Sequence, residues 1–102
     1  MDDLTQRFAA AHPELQDPLL AAERCFEYST AFVDLVGAGT VVSGVWMDVE
    51  HRIVHAGHAA ALIDGVIYDW TARQFDADAP VPLVEPEASW RERWKPLTRP
   101  SS

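Results

Sequence analysis

Read for the spacing of its apolar positions, the chain splits into a helical first third and a strand-rich middle. Leu4, Phe8 and Ala11 share one face of a helix predicted over residues 3–12, with Asp2 or Asp3 as cap and Pro13 as stop. Asp17-Pro18 opens a second helix, Asp as N-cap and Pro in the first turn. From there to residue 36, Leu19, Ala22, Phe26, Ser29, Val33 and Val36 follow the 3.6 period, and Gly37 and Gly39 end the run. The period then changes to two. Residues 40–47 read as a strand, 48–52 as a turn, 53–63 as a second strand and 66–71 as a third. Residues 72–86, with Pro80, Pro82 and Pro86, read as an extended loop. A last helix over 87–94 places Trp90 and Trp94 on one face at i, i+4, and the tail from Pro96 reads as loose. The expectation is one α+β domain: N-terminal helices packed on a three-stranded antiparallel sheet, plus a C-terminal helix.

Asp64-Gly65 is the strongest hairpin signal in the chain. A two-residue loop pairs Ile63 with Val66 and Leu62 with Ile67, and carries the register outward to Ala60 opposite Asp69 and His58 opposite Thr71. His58 and Asp69 then share a face as diagonal neighbours, with Cβ atoms roughly 5–8 Å apart. A three-residue loop would put them on opposite faces. The same reasoning expects the face of His58, Ala60, Leu62, Ile67 and Asp69 to pack on the helix that carries the only cysteine, Cys25.

Cys25, His58 and Asp69 supply residue types that act as nucleophile, base and orienter. Each also has a plain structural reading. A lone helical cysteine is most often a small buried apolar side chain, a strand histidine can serve a backbone carbonyl, and a strand-end carboxylate can bind a turn. A reactive thiol needs a helix N-terminus or an imidazolium beside it, whereas the local pattern places Cys25 in mid-helix unless the helix breaks near residues 23–24. Asp69 lies in the apolar run Val66-Ile-Tyr-Asp-Trp70, where a buried charge needs a partner. Trp70, Trp46 and Gln74 are candidate walls or substrate contacts, Gln74 as a hydrogen-bond donor to the core or to an oxyanion. His51, His55 and His58 form a weaker metal candidate, because on one strand the first two face away from the third.

Composition narrows the classes. The chain has 102 residues, 16 acidic against 8 basic, and a net charge of −8, which argues against non-specific nucleic-acid binding and anionic membranes. One cysteine excludes an internal disulfide and a Cys-rich zinc site. The first residues carry neither a basic nor an apolar signal region, and no run approaches a membrane span. These features predict a cytoplasmic protein in a reducing compartment; delivery to a target cell by a specialised route would leave no mark here.

The stretch Cys25-Phe-Glu-Tyr-Ser-Thr-Ala-Phe-Val-Asp-Leu-Val-Gly-Ala-Gly-Thr-Val-Val-Ser-Gly44 resembles the nucleophile helix and following strand of the transglutaminase-like cysteine enzymes, within the papain-like superfamily. His58-Ala-Ala-Leu-Ile-Asp-Gly-Val-Ile-Tyr-Asp69-Trp-Thr71 is similar to that family's histidine–aspartate hairpin, and Asp69-Trp-Thr-Ala-Arg-Gln-Phe75 to a string in small bacterial and phage papain-fold proteins. The match covers residues 25–75. Residue 60, where the family has an aromatic, is Ala60, and Asp69 is followed by Trp70 instead of proline. The resemblance implies a minimal papain-like fold: a helical segment 1–24, a catalytic core 25–75, and a loop, helix and tail over 76–102. It further implies a catalytic triad of Cys25, His58 and Asp69 acting on an amide of a protein or peptide without a cofactor, as a glutamine deamidase, peptidase or transglutaminase. The rival expectations are an acidic binding module that presents the 76–86 loop with Trp90 and Trp94 to a partner, and a histidine-based metal hydrolase.

Overall fold

The computed structural model describes residues 2–21, 24–48 and 53–95. Residues 49–52 of the predicted turn 48–52 and the tail beyond Lys95 lie outside them, and Asp48 belongs to the first strand, not to the turn. The elements are α1 (Asp2–Ala11), a 3-10 turn (Pro13–Gln16), α2 (Pro18–Ala21), α3 (Cys25–Val36), β1 (Thr40–Asp48), β2 (Ile53–Ile63), β3 (Val66–Asp69), a second 3-10 turn (Ala72–Gln74), β4 (Leu83–Pro86) and α4 (Glu87–Arg93). The α+β reading holds, but the sheet has four strands, not three, in the antiparallel order β1-β2-β3-β4. The extra strand falls where prolines signalled a loop. It is an edge strand, the one place in a sheet that tolerates prolines. No described helix is long and apolar enough to cross a membrane.

The hairpin has the anticipated register over its first three pairs, and the expected Ala60–Asp69 and His58–Thr71 pairs are not part of the ladder. Asp64 and Gly65 both take positive φ (53° and 77°), as a type I′ turn requires, and Ile63 pairs with Val66, Leu62 with Ile67 and Ala61 with Tyr68. Pairing with the outer strands carries the faces across the sheet. Gly44 lies opposite His58 and Val42 opposite Ala60, while Asp69 lies opposite Leu83.

The two faces are covered from different parts of the chain. Phe8, Leu15, Tyr28 and Phe32, from α1, the first 3-10 turn and α3, pack on Ala61, Ile63, Tyr68 and Trp70. Trp90 and Trp94 pack on the other face, against Ala60 and Ile67. The expectation that the His58 face meets the cysteine helix is therefore corrected: α4 covers that face, and α3 lies on the opposite one. The tryptophans are correspondingly sequestered, Trp90 fully and Trp94 at 6% exposure, so they do not present themselves to a partner as the binding-module expectation required.

The predicted continuous helix from Leu19 to Val36 is also corrected. α2 stops at Ala21 and α3 starts at Cys25. Leu19 and Phe26 are exposed, and the buried stripe of α3 runs through Tyr28, Ser29 and Phe32. Two short helices had merged into one apparent period. Gly37, in the left-handed region (φ 77°), ends α3 as expected, its N–H donating to Val33 O (2.9 Å).

Past α4 the chain is pinned to β1 by reciprocal backbone bonds between Val45 and Lys95 (2.8 and 3.0 Å). Gly44 makes this approach possible: a Cβ there would sit 2.8 Å from Trp94 Cβ and 2.9 Å from its carbonyl carbon. The absence of a side chain at Gly44 thus seats Trp94 beside its strand partner His58.

Candidate active site

Cys25 is the first residue of α3 and is half-buried. The N-cap residue Arg24 offers no side-chain acceptor to the helix; its guanidinium pairs with Glu27 (3.0 and 2.8 Å). The N–H groups of the first turn are thereby left to other acceptors, and the backbone of Phe26 and that of Ala59 both favour the thiolate form of Cys25. β3 leaves β2 beyond the Ala61–Tyr68 pair, and the helix start docks on the β2 backbone that β3 vacates. Although α3 and the His58 side chain belong to opposite faces, the two meet at this end of the sheet.

His58 is buried, its ring flanked by Phe75 and Trp94 with centroids 4.9 and 4.8 Å away. Nε2 lies 2.8 and 2.7 Å from the two oxygens of Asp69. A carboxylate only accepts, so Nε2 carries the proton and Nδ1 is left for the Cys25 side, where the thiol lies close enough for the two groups to shift each other's titration. Gln74 Nε2 lies 3.3 Å from the same Nδ1 and donates to Thr71 Oγ1 (3.0 Å). Asp69 is 2% exposed and accepts a second donor, Trp90 Nε1–H, at 3.1 Å. Its charge is thus desolvated but partnered on both sides.

The charges reinforce one another. Burial pushes the Cys25 thiol up, but the His58 hydrogen bond, its positive charge and the Ala59 and Phe26 backbone bonds together bring it below its ordinary value. Burial pushes His58 down, yet the hydrogen bonds to Asp69 and Cys25 and their charges outweigh it and raise the imidazole to about 9. Both shifts favour the thiolate–imidazolium form of the pair.

A pH dependence of stability follows, best read in Cys25→Ser, which removes the thiol's opposing titration. The Cys25 part of the rise in His58 is absent from this variant, but Asp69 still holds the folded imidazole's proton above the roughly 6.5 of an unfolded histidine, so its contribution is complete below that pH and is lost as pH rises through the folded value. Urea unfolding of Cys25→Ser should show on the order of 1 kcal/mol lost as pH rises above about 6.5. The slope should flatten in Cys25→Ser/His58→Gln, and stability that instead rises with pH would contradict the assignment.

Of the other residues singled out from sequence, Gln74 reaches the imidazole, and Trp46 is 54% exposed on a cleft that Asp69 also lines. Trp70 does not wall the site. It follows Asp69 onto the opposite side and is buried among Phe8 and Phe32, with centroids 4.5 and 5.0 Å away. His51 lies outside the described residues, as does the side chain of His55; among the described residues no three His, Cys, Asp or Glu converge as a metal site.

Sequence reasoning missed Trp90 as the second donor to Asp69 and the Phe75–Trp94 flanks of His58. The signal was present: a buried tryptophan needs an acceptor for its N–H, and Asp69 was a buried carboxylate with one named partner. Family models, curated proteins and solved structures were all compared with the chain, and none matches it.

Proposed function

We propose that the protein is a thiol-dependent amide hydrolase or acyl-transfer enzyme of papain-like type, of which glutamine deamidation and peptide hydrolysis are the leading forms. The reading is carried by one observation: a half-buried cysteine at a helix start, its thiol pKa lowered by an imidazole whose Nε2 is held 2.7–2.8 Å from a buried carboxylate.

In the resting state the thiolate faces the Nδ1–H of His58. Sulfur attacks the amide carbonyl carbon, forming a C–S bond and an oxyanion that the Cys25 N–H at the helix start can hold. The Gln74 carboxamide, beside Nδ1, supplies the nearest side-chain donor. The imidazolium gives its proton to the amide nitrogen as the C–N bond breaks and ammonia or an amine leaves, with a thioester on Cys25. Water then attacks the thioester, His58 accepts its proton, and breaking the C–S bond restores the thiolate beside the imidazolium. A primary amine in place of water completes transglutamination by the same route. Asp69 keeps the imidazole oriented and stabilises its cation.

Incubation with p-nitrophenyl acetate followed by intact mass measurement tests this. One acetyl group should appear on wild type, map to Cys25, and be absent from Cys25→Ser. Slow acetylation of lysines at equal levels in both proteins would refute the proposal.

A further inference from the structure

On the carboxylate side of His58 lies a cleft of about 800 Å³, within the roughly 300–1,000 Å³ of ligand sites. Its walls are apolar and aromatic: Trp46, Phe75, Leu83 and Trp94. Trp46 and Phe75 are 54% and 41% exposed, large aromatic surface left in solvent at the mouth of the cleft.

The charge around these walls is net negative. Glu85 is satisfied by Arg93, whereas Asp76, Asp78 and Glu92 line the cleft without an ion pair among the described residues, opposed by Lys95. The acidic edge is also fixed in place. Arg73 ties the loop down through Ala79 O (2.8 Å) and Gln16 (3.1 and 2.9 Å), and Asp76 N–H bonds Ala72 O (3.0 Å). An occupant that matches apolar walls and an anionic edge has a long aliphatic stem and a cationic head, a head that aromatic faces also favour.

We propose that this cleft is the specificity subsite of the thiol site, and that it receives a lysine or arginine side chain of a polypeptide substrate. This rests on the proposed function. Asp69, which holds His58, is also a wall of the cleft, so the recognised side chain belongs to a residue within a few positions of the carbonyl that Cys25 attacks.

The test uses tripeptidyl acyloxymethyl ketones, which alkylate an active-site thiolate. Lysine, norleucine or glutamate stands at the second or third position from the ketone, and iodoacetamide serves as the sequence-blind reagent. The lysine probe should inactivate wild type about tenfold faster than the norleucine probe and faster still than the glutamate probe. The lysine-to-norleucine ratio should shrink in Asp76→Asn/Asp78→Asn and at high salt. Rapid iodoacetamide labelling with no lysine preference, or with a preference for norleucine or glutamate, overturns the subsite and leaves the thiol site standing. Slow iodoacetamide labelling with all probes inert removes the thiol site and the subsite with it.

Discussion

Asp69→Ala should slow acylation of Cys25 by on the order of 10²–10⁴, read as the rate of p-nitrophenol release in the first turnover. The carboxylate is the acceptor for His58 Nε2 and the counter-charge of the imidazolium. Without it the ring loses both its fixed orientation and the interaction that keeps it protonated. Asp69→Asn should lose less, because one oxygen can still take Nε2–H, but it cannot serve every bond: its amide N–H₂ must face either His58 or Trp90 Nε1–H, both of them donors. Rates for Asp69→Ala within about threefold of wild type, in a protein that remains folded, would make the carboxylate a structural group only.

The second large effect is on stability. Trp90→Ala should cost about 3–5 kcal/mol in urea unfolding. The indole is fully buried and forms, with Ala60, Ile67 and Trp94, the second core of the molecule. Trp90→Phe fills most of the space and isolates the hydrogen bond; about 1–3 kcal/mol should remain lost, because Asp69 keeps its burial and loses a donor. Trp90→Ala within 1 kcal/mol of wild type would mean that α4 does not hold this face of the sheet.

This second core also explains why residue 60 is small. Ala60 is fully buried beneath Trp90 and Trp94, so aromatic bulk on this face comes from α4 and not from the strand. Small residues on the strands, Ala60 and Gly44, and large ones on the helix are two halves of one packing solution.

How far the chain could be read in advance follows from which interactions are local. The hairpin register was legible because a two-residue Asp-Gly turn fixes the three pairs nearest to it, and the shared face of His58 and Asp69 follows from the same alternation even though β3 leaves β2 before reaching them. The stop at Gly37 was legible for the same reason: one residue's left-handed backbone decides it. The start of α3 was not. Residues 19–21 and 25–36 both favour helix, and what puts Cys25 at a terminus is its docking on β2, more than thirty residues away. Nor could periodicity tell which helix covers which face. Apolar stripes on α3 and α4 are equivalent as patterns, and the choice between them is made by tertiary packing. The prolines of 80–86 concealed an edge strand because the rule that excludes proline from sheets holds for central strands.

The central claim is that Cys25 is a thiolate sustained by His58. The direct measurement is the rate of iodoacetamide alkylation of Cys25 against pH, in wild type and in His58→Ala, with circular dichroism to confirm that the variant is folded. Wild type should react rapidly well below the roughly 8.5 of a free thiol, and the variant should shift to that ordinary midpoint, losing about tenfold in rate at low pH for each pH unit of the shift. Identical profiles in the two proteins, both centred where a free cysteine titrates, would contradict the account.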